Sequence, residues 1–95
     1  MSIALSSLAE KSLNDIFDYY LEHAGFNVAE DNEIRILSQI KSIIGFEKAI
    51  PQSDIYPNTR KLVISKLPYV AYIRELPTGS WEVVDIVHTS RKLPY

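Results

Sequence analysis

Ninety-five residues without a cysteine, at a formal net charge of −2, make one core and exclude disulfides, thiol catalysis and a cysteine-based zinc site. The apolar share is ordinary for a globular chain and rich in Ile, Val, Leu and Tyr, which argues against disorder. The start, Met1 to Leu5, lacks the basic and apolar regions of a signal peptide, and no apolar run nears membrane-spanning length, so a soluble cytoplasmic protein is expected, with no membrane partner.

Ser2 to Leu5, short and apolar, reads as a first strand. Ser7 and Glu10 fit a capping box that opens a helix. Leu13, Ile16, Phe17, Tyr20, Leu21 and Ala24 follow at helical spacing on one face. Gly25 is expected to end this helix in the left-handed conformation. Asn27 with Glu30 repeats the capping pattern, and Ile36, Leu37, Ile40, Ile43 and Ile44 form a second inward stripe. Gly45 should close that helix, with Phe46 packing back on it. The short link makes the two helices antiparallel neighbours.

Residues 47–59, with Pro51 and Pro57, read as a loop. Arg60 to Lys66 reads as a strand that presents Leu62 and Ile64 on one side and Lys61, Val63 and Ser65 on the other. Pro68 ends it. Tyr69 to Glu75 and Trp81 to His88 are two further strands around a turn at Pro77-Thr78-Gly79. Val83, Val84, Ile86 and Val87 are nearly continuous, as in a central strand buried on both faces. Asp85 interrupts that run as an exposed or paired carboxylate. The pattern is β-α-α-β-β-β, a two-layer α+β domain over residues 1–95 in which the helical hairpin covers one face of a mainly antiparallel sheet.

Charge divides along the same line. Residues 1–59 hold four cations and nine anions, a net −5; residues 60–95 hold six cations and three anions, a net +3. This reads either as a solvated acidic helix surface or as a sheet side that meets an anionic partner.

These elements resemble the RelE/ParE toxin superfamily, and its ParE-like branch in particular. The resemblance rests on the helix phrase around Ala9, Ser12, Leu13, Ile16 and Tyr19, on Arg60-Lys61-Leu62 opening a strand, and on Pro68-Tyr69-Val70-Ala71-Tyr72. The ending Val87-His88-Thr89-Ser90-Arg91 with Pro94 completes it. Two departures stand out. Ser12 occupies a position where the family usually has aspartate, and no glycine follows Pro51.

The resemblance implies the toxin of a type II toxin–antitoxin system, often linked to plasmid stabilisation. ParE-like members poison DNA gyrase; RelE-like members cleave mRNA on the ribosome. It also implies a cognate antitoxin that folds onto the toxin as a hetero-oligomer, as a helix across the hairpin and an added strand. Gyrase inhibition needs a recognition surface, for which Arg60, His88, Arg91, Lys92 and Tyr95 are the candidates. RNA cleavage needs a base, an acid and a cation; His88, Arg91, Tyr95 and Arg60 would have to supply them. Against cleavage stand the net acidity and the segment Leu62 to Tyr69, where the nucleases carry basic residues.

Each candidate also has a structural reading: His88 ordering the tail, Arg60 pairing with Asp54 or Glu82, Trp81, Tyr69 and Tyr72 packing. His23 suits a helix C-terminus and carries no assigned function. The histidines lie far apart without a carboxylate cluster, so neither metal nor cofactor is expected. A third reading is a non-toxic partner-binding protein of the same fold.

Overall fold

Ser6 carries two jobs in the computed structural model, which describes residues 3–90. Its side chain accepts a hydrogen bond from the Ala9 amide (3.0 Å) and so caps the first helix. The same hydroxyl donates to the Val84 carbonyl (2.6 Å). The cap is therefore Ser6, one residue before the Ser7 of the sequence reading, because Ser6 is also held by the sheet.

The elements are β1 (Ile3–Leu5), α1 (Ser7–Ala24), α2 (Phe26–Ser42), β2 (Arg60–Val63), β3 (Tyr69–Glu75) and β4 (Trp81–His88). The sheet order is β1-β4-β3-β2, with β1 parallel to β4 and the other pairs antiparallel. This is the expected two-layer α+β arrangement. The helical hairpin lies on one face, where Ile36, Ile40, Ile64, Ile73, Ile86 and Val83 are fully buried.

The opposite face has its own cover. Val70, Tyr72 and Val87 are buried there against Ile55, Tyr56 and Val84. Tyr56 meets Tyr72 edge-on at 4.7 Å between ring centroids. The stretch read as a plain loop thus shields the second face of the sheet. That accounts for the apolar run of β4, which lies between β1 and β3.

Gly25 alone separates the helices, at φ +93° and ψ 169°. This is a glycine conformation, but an extended one rather than the left-handed helical one expected. It lets the chain reverse in one residue, so Asn27 lies inside α2 and caps nothing. At this tip Leu21 and Ala24 are exposed, off the buried stripe assigned to them. Phe46 is 69% exposed and does not pack back. The neighbouring turn is closed instead by backbone, the Phe46 amide donating to the Ile43 carbonyl (2.8 Å).

β2 stops at Val63, three residues short of the expected end. The Ile64 amide turns to the Tyr69 carbonyl (2.9 Å). Gln39 of α2 clamps Ser65, accepting from its amide (2.7 Å) and donating to its carbonyl (3.1 Å). Lys66 can then complete the turn only at φ +68°.

A β-bulge interrupts the β3–β4 ladder. Tyr72 pairs with Asp85 and Ile73 with Val83, which leaves Val84 as the extra residue. The bulge releases the Val84 carbonyl, which Ser6 takes up. It also aims Asp85 at α1, where its carboxylate accepts from the Ser12 hydroxyl (2.6 Å) and from the Ile86 amide (2.8 Å). Asp85 is thus paired but buried, at 7% exposure.

Replacing Ser6 removes a cap and orphans a carbonyl at once. Ser6→Ala is expected to cost about 1–3 kcal/mol, and Ser12→Ala about 1–2 kcal/mol. Urea unfolding should show lower midpoints at an unchanged slope; midpoints equal to the wild type would contradict this account of the bulge.

Candidate functional site

The helical spacing of Ser12, Ile16 and Tyr19 puts them along one side of α1. Because the Ser12–Asp85 bond fixes α1 over β4, that side faces the end of the β3–β4 ladder. There Tyr69 and His88 are direct partners across the strands. A groove of about 330 Å³ lies between, lined by Ser12, Ile16 and Tyr19 from the helix and by Tyr69, Ile86 and His88 from the sheet, with Asp15 and Ser90 at its rim.

His88 is exposed and locally tied. Its Nδ1 accepts from the Ser90 amide (3.1 Å) and sits 2.7 Å from the Ser90 hydroxyl. An acceptor at Nδ1 places the proton of the neutral ring on Nε2. The ring meets Tyr69 edge-on at 5.3 Å. His88 therefore both orders its surroundings and stays accessible.

Tyr69 is nearly buried. Burial, reinforced by a hydrogen bond with the Tyr20 side chain, pushes its phenol far above the ordinary value of about 10. At neutral pH it is a fixed donor or acceptor, not a base. Tyr20 in turn meets Tyr19 edge-on (5.2 Å), and Tyr19 stacks on His23 (4.4 Å). The His23 Nδ1 donates to the Tyr19 carbonyl (2.8 Å). A chain of aromatic rings thus borders the groove, and Tyr19 is 53% exposed.

Charge is sparse here. Asp15 pairs with Lys11 (3.1 Å) on the exposed face of α1. Among the described residues no lysine or arginine lines the groove. Arg91, Lys92 and Tyr95 lie outside the described residues.

Arg60 stands apart from His88, at the other end of the sheet. Its Nη1 donates to the carbonyls of Ile50 (2.8 Å) and Lys48 (3.2 Å). The expected pairing with Asp54 or Glu82 does not form; Glu82 pairs with Arg74 (2.9 Å). The described residues therefore bring His88 together with Tyr69 and Tyr19, not with Arg60. Among the described residues no group of His, Asp or Glu could hold a metal ion.

No family model matches the sequence, and no curated protein matches it. A solved structure does match, described as a chromosomal ParDE TA system from P. aeruginosa. The superposition has a TM-score of 0.85 at 22% identity and covers 95% of this chain and 97% of that one. The fold is ParE-like.

Tyr69, Tyr19 and Ser12 were not singled out as site residues from sequence. The usable signal was the spacing of Ser12, Ile16 and Tyr19, which continues past the buried stripe toward its polar border. In this ParE-like fold that border becomes a groove wall.

The state of Tyr69 has a pH signature. A phenol whose folded value is raised stays protonated when the unfolded chain ionises, so its stabilisation is full below about pH 10 and is lost as pH rises further. Unfolding between pH 9 and 11 should show falling stability, and Tyr69→Phe should flatten that slope. At neutral pH the same variant should cost about 1 kcal/mol, the worth of one hydrogen bond. An unchanged alkaline slope would count against burial of the Tyr69 phenol as the source of this pH dependence.

Proposed function

We propose that this chain is the toxin of a ParE-like type II toxin–antitoxin pair, and that it inhibits DNA gyrase in the cytoplasm and is neutralised by a cognate antitoxin. The observation that carries the reading is the ParE-like fold, matched over nearly the whole of both chains. The make-up of the groove supports gyrase over RNA. Cleavage of a phosphodiester develops charge that a cation must meet. The described groove offers an imidazole and tyrosines, and no lysine or arginine. A poison that traps one state of its target needs only preferential affinity for that state.

In this reading His88 anchors the target-facing surface, joined by Arg91, Lys92 and Tyr95, which follow it in the chain. Arg60 contributes through a separate region at the other end of the sheet. The antitoxin takes two places. A helical segment with apolar anchors fits the aromatic-bordered groove, where a basic side chain would meet Asp15. An added strand fits the outer edge of β1. The outer edge of β2 is less open, because the Lys61 amide already donates to the Pro51 carbonyl (2.8 Å) and Gln52 bridges Arg60. Among the described residues no helix is long and apolar enough to cross a membrane.

Two assays decide between targets. Added to gyrase, the purified protein should stop supercoiling and accumulate cleaved DNA. In a translation reaction read by primer extension, mRNA should stay intact. His88→Ala should weaken gyrase inhibition by about tenfold or more, as loss of an interface anchor does. Cleaved mRNA with unaffected gyrase would establish the ribosome-dependent nuclease instead. Inactivity in both, with antitoxin binding kept, would leave a partner-binding protein without toxicity.

A further inference from the structure

Arg60, Glu75 and Trp81 converge at the end of the sheet away from His88. Arg60 pairs with Ile73 across β2–β3, and Glu75 pairs with Trp81 across β3–β4. Side chains alternate along a strand, so Ile73 and Glu75 share a face, and Arg60 is the diagonal neighbour of Glu75, about 7–8 Å away. Opposite charges at that spacing would ordinarily pair. Here neither joins an ion pair among the described residues. A cavity of about 330 Å³ lies at this end, and both line it with Trp81, Gln52 and Asn58. Its volume is within the range of small-molecule sites, roughly 300–1,000 Å³.

The donors and acceptors around it are uncommitted and partly fixed. Both Nη1 hydrogens of Arg60 go to the Lys48 and Ile50 carbonyls. That pins the guanidinium and leaves the Nη2 and Nε hydrogens as a flat edge for two adjacent acceptors. Glu75 is exposed, with no hydrogen-bond partner among the described residues. The side chains of Gln52 and Asn58 are likewise without partners there. Trp81, 8% exposed and part of the core, supplies an apolar wall.

We propose that this cavity binds the guanine base of a mononucleotide. Guanine offers two acceptors, O6 and N7, to an arginine edge. On its adjoining edge it offers two donors, N1–H and N2–H, to a carboxylate. Arg60 and Glu75 supply those two complements from one face of one sheet, with Trp81 beside the ring. Adenine presents an amino donor where Arg60 needs an acceptor. A simple carboxylate ligand would satisfy Arg60 but meet like charge at Glu75. The site is distinct from the groove at His88 and does not depend on what that groove binds.

Trp81 is the only tryptophan, so its indole N–H gives a single signal in an ¹⁵N spectrum of the intact chain. GMP should shift that signal saturably. IMP, which lacks N2–H, should bind about fivefold or more weakly. AMP and 7-deaza-GMP, which disrupt the Arg60 contacts, should bind at least about tenfold more weakly. Glu75→Gln, at an exposed position without partners, should lower GMP affinity at least about tenfold while the unfolding midpoint stays unchanged. The proposal is overturned if GMP gives no saturable shift up to about 10 mM, far weaker than a millimolar site. It is equally overturned if AMP or ribose 5-phosphate shifts the signal as GMP does, or if Glu75→Gln binds GMP like the wild type.

Discussion

One extra residue in β4 sets the position of everything above the sheet. The bulge at Val84 breaks the ladder between Tyr72 and Ile73, and an unpaired carbonyl and a buried carboxylate are the result. Each is costly if left alone. Both are met from α1 or its cap, the carbonyl by Ser6 and the carboxylate by Ser12. Helix and sheet are thereby joined by two short hydrogen bonds as well as by apolar contact. Apolar packing alone is non-directional and tolerates sliding. The two bonds, six residues apart along α1, fix its height and rotation over β4. Tyr19 and Tyr20 then reach the end of the strands where Tyr69 and His88 stand. The groove is a consequence of that registration.

Registration also separates two regions that share one sheet. β3 runs from Tyr69, opposite His88, to Glu75, opposite Trp81. α1 starts at mid-sheet and covers the first end, leaving the second to the loop around Gln52 and Asn58. The covered end becomes an apolar groove bordered by aromatic rings. The uncovered end becomes a polar cavity whose arginine is held by backbone carbonyls. Arg60 and His88 are thus kept apart by topology, though the chain places both at strand ends. A single catalytic constellation that used both would have to span the length of β3.

This division shows what could be read from the chain alone. Apolar patterning located both α-helices and the four strands, though not the 3-10 turn at Glu47–Ala49 or the early end of β2, because each stripe or run is a repeated apolar demand and does not depend on any one residue. β3 and β4 were read to their observed bounds for that reason, helped by Pro68 and Gly79. Single-residue events were harder. The bulge leaves no mark in an apolar run, since Val84 is apolar like its neighbours; only Asp85 hinted at it. The cap shifted from Ser7 to Ser6 because a distant carbonyl chose between two adjacent serines. Leu21 was placed inward by spacing and Phe46 by an expected closing turn, but both are exposed. The groove divided in the same way. The place of His88 at the exposed end of a strand was legible. Tyr69 across the strands and Tyr19 on the facing wall were hidden, because their places depend on which helix face meets which strand end.

The same seam explains why serine suits position 12 better than aspartate, the residue usual there in the family that the sequence resembles. The Ser12 hydroxyl lies 2.6 Å from a carboxylate oxygen of Asp85. Two carboxylates at that distance could not both be ionised. One would have to hold a proton, or the helix would have to withdraw from the strand. Serine resolves the conflict, since it donates where aspartate would repel. The carboxylate of this seam sits on β4, buried and fixed by Ser12 and the Ile86 amide. A neutral donor on the helix thus meets that buried charge and holds α1 against the sheet.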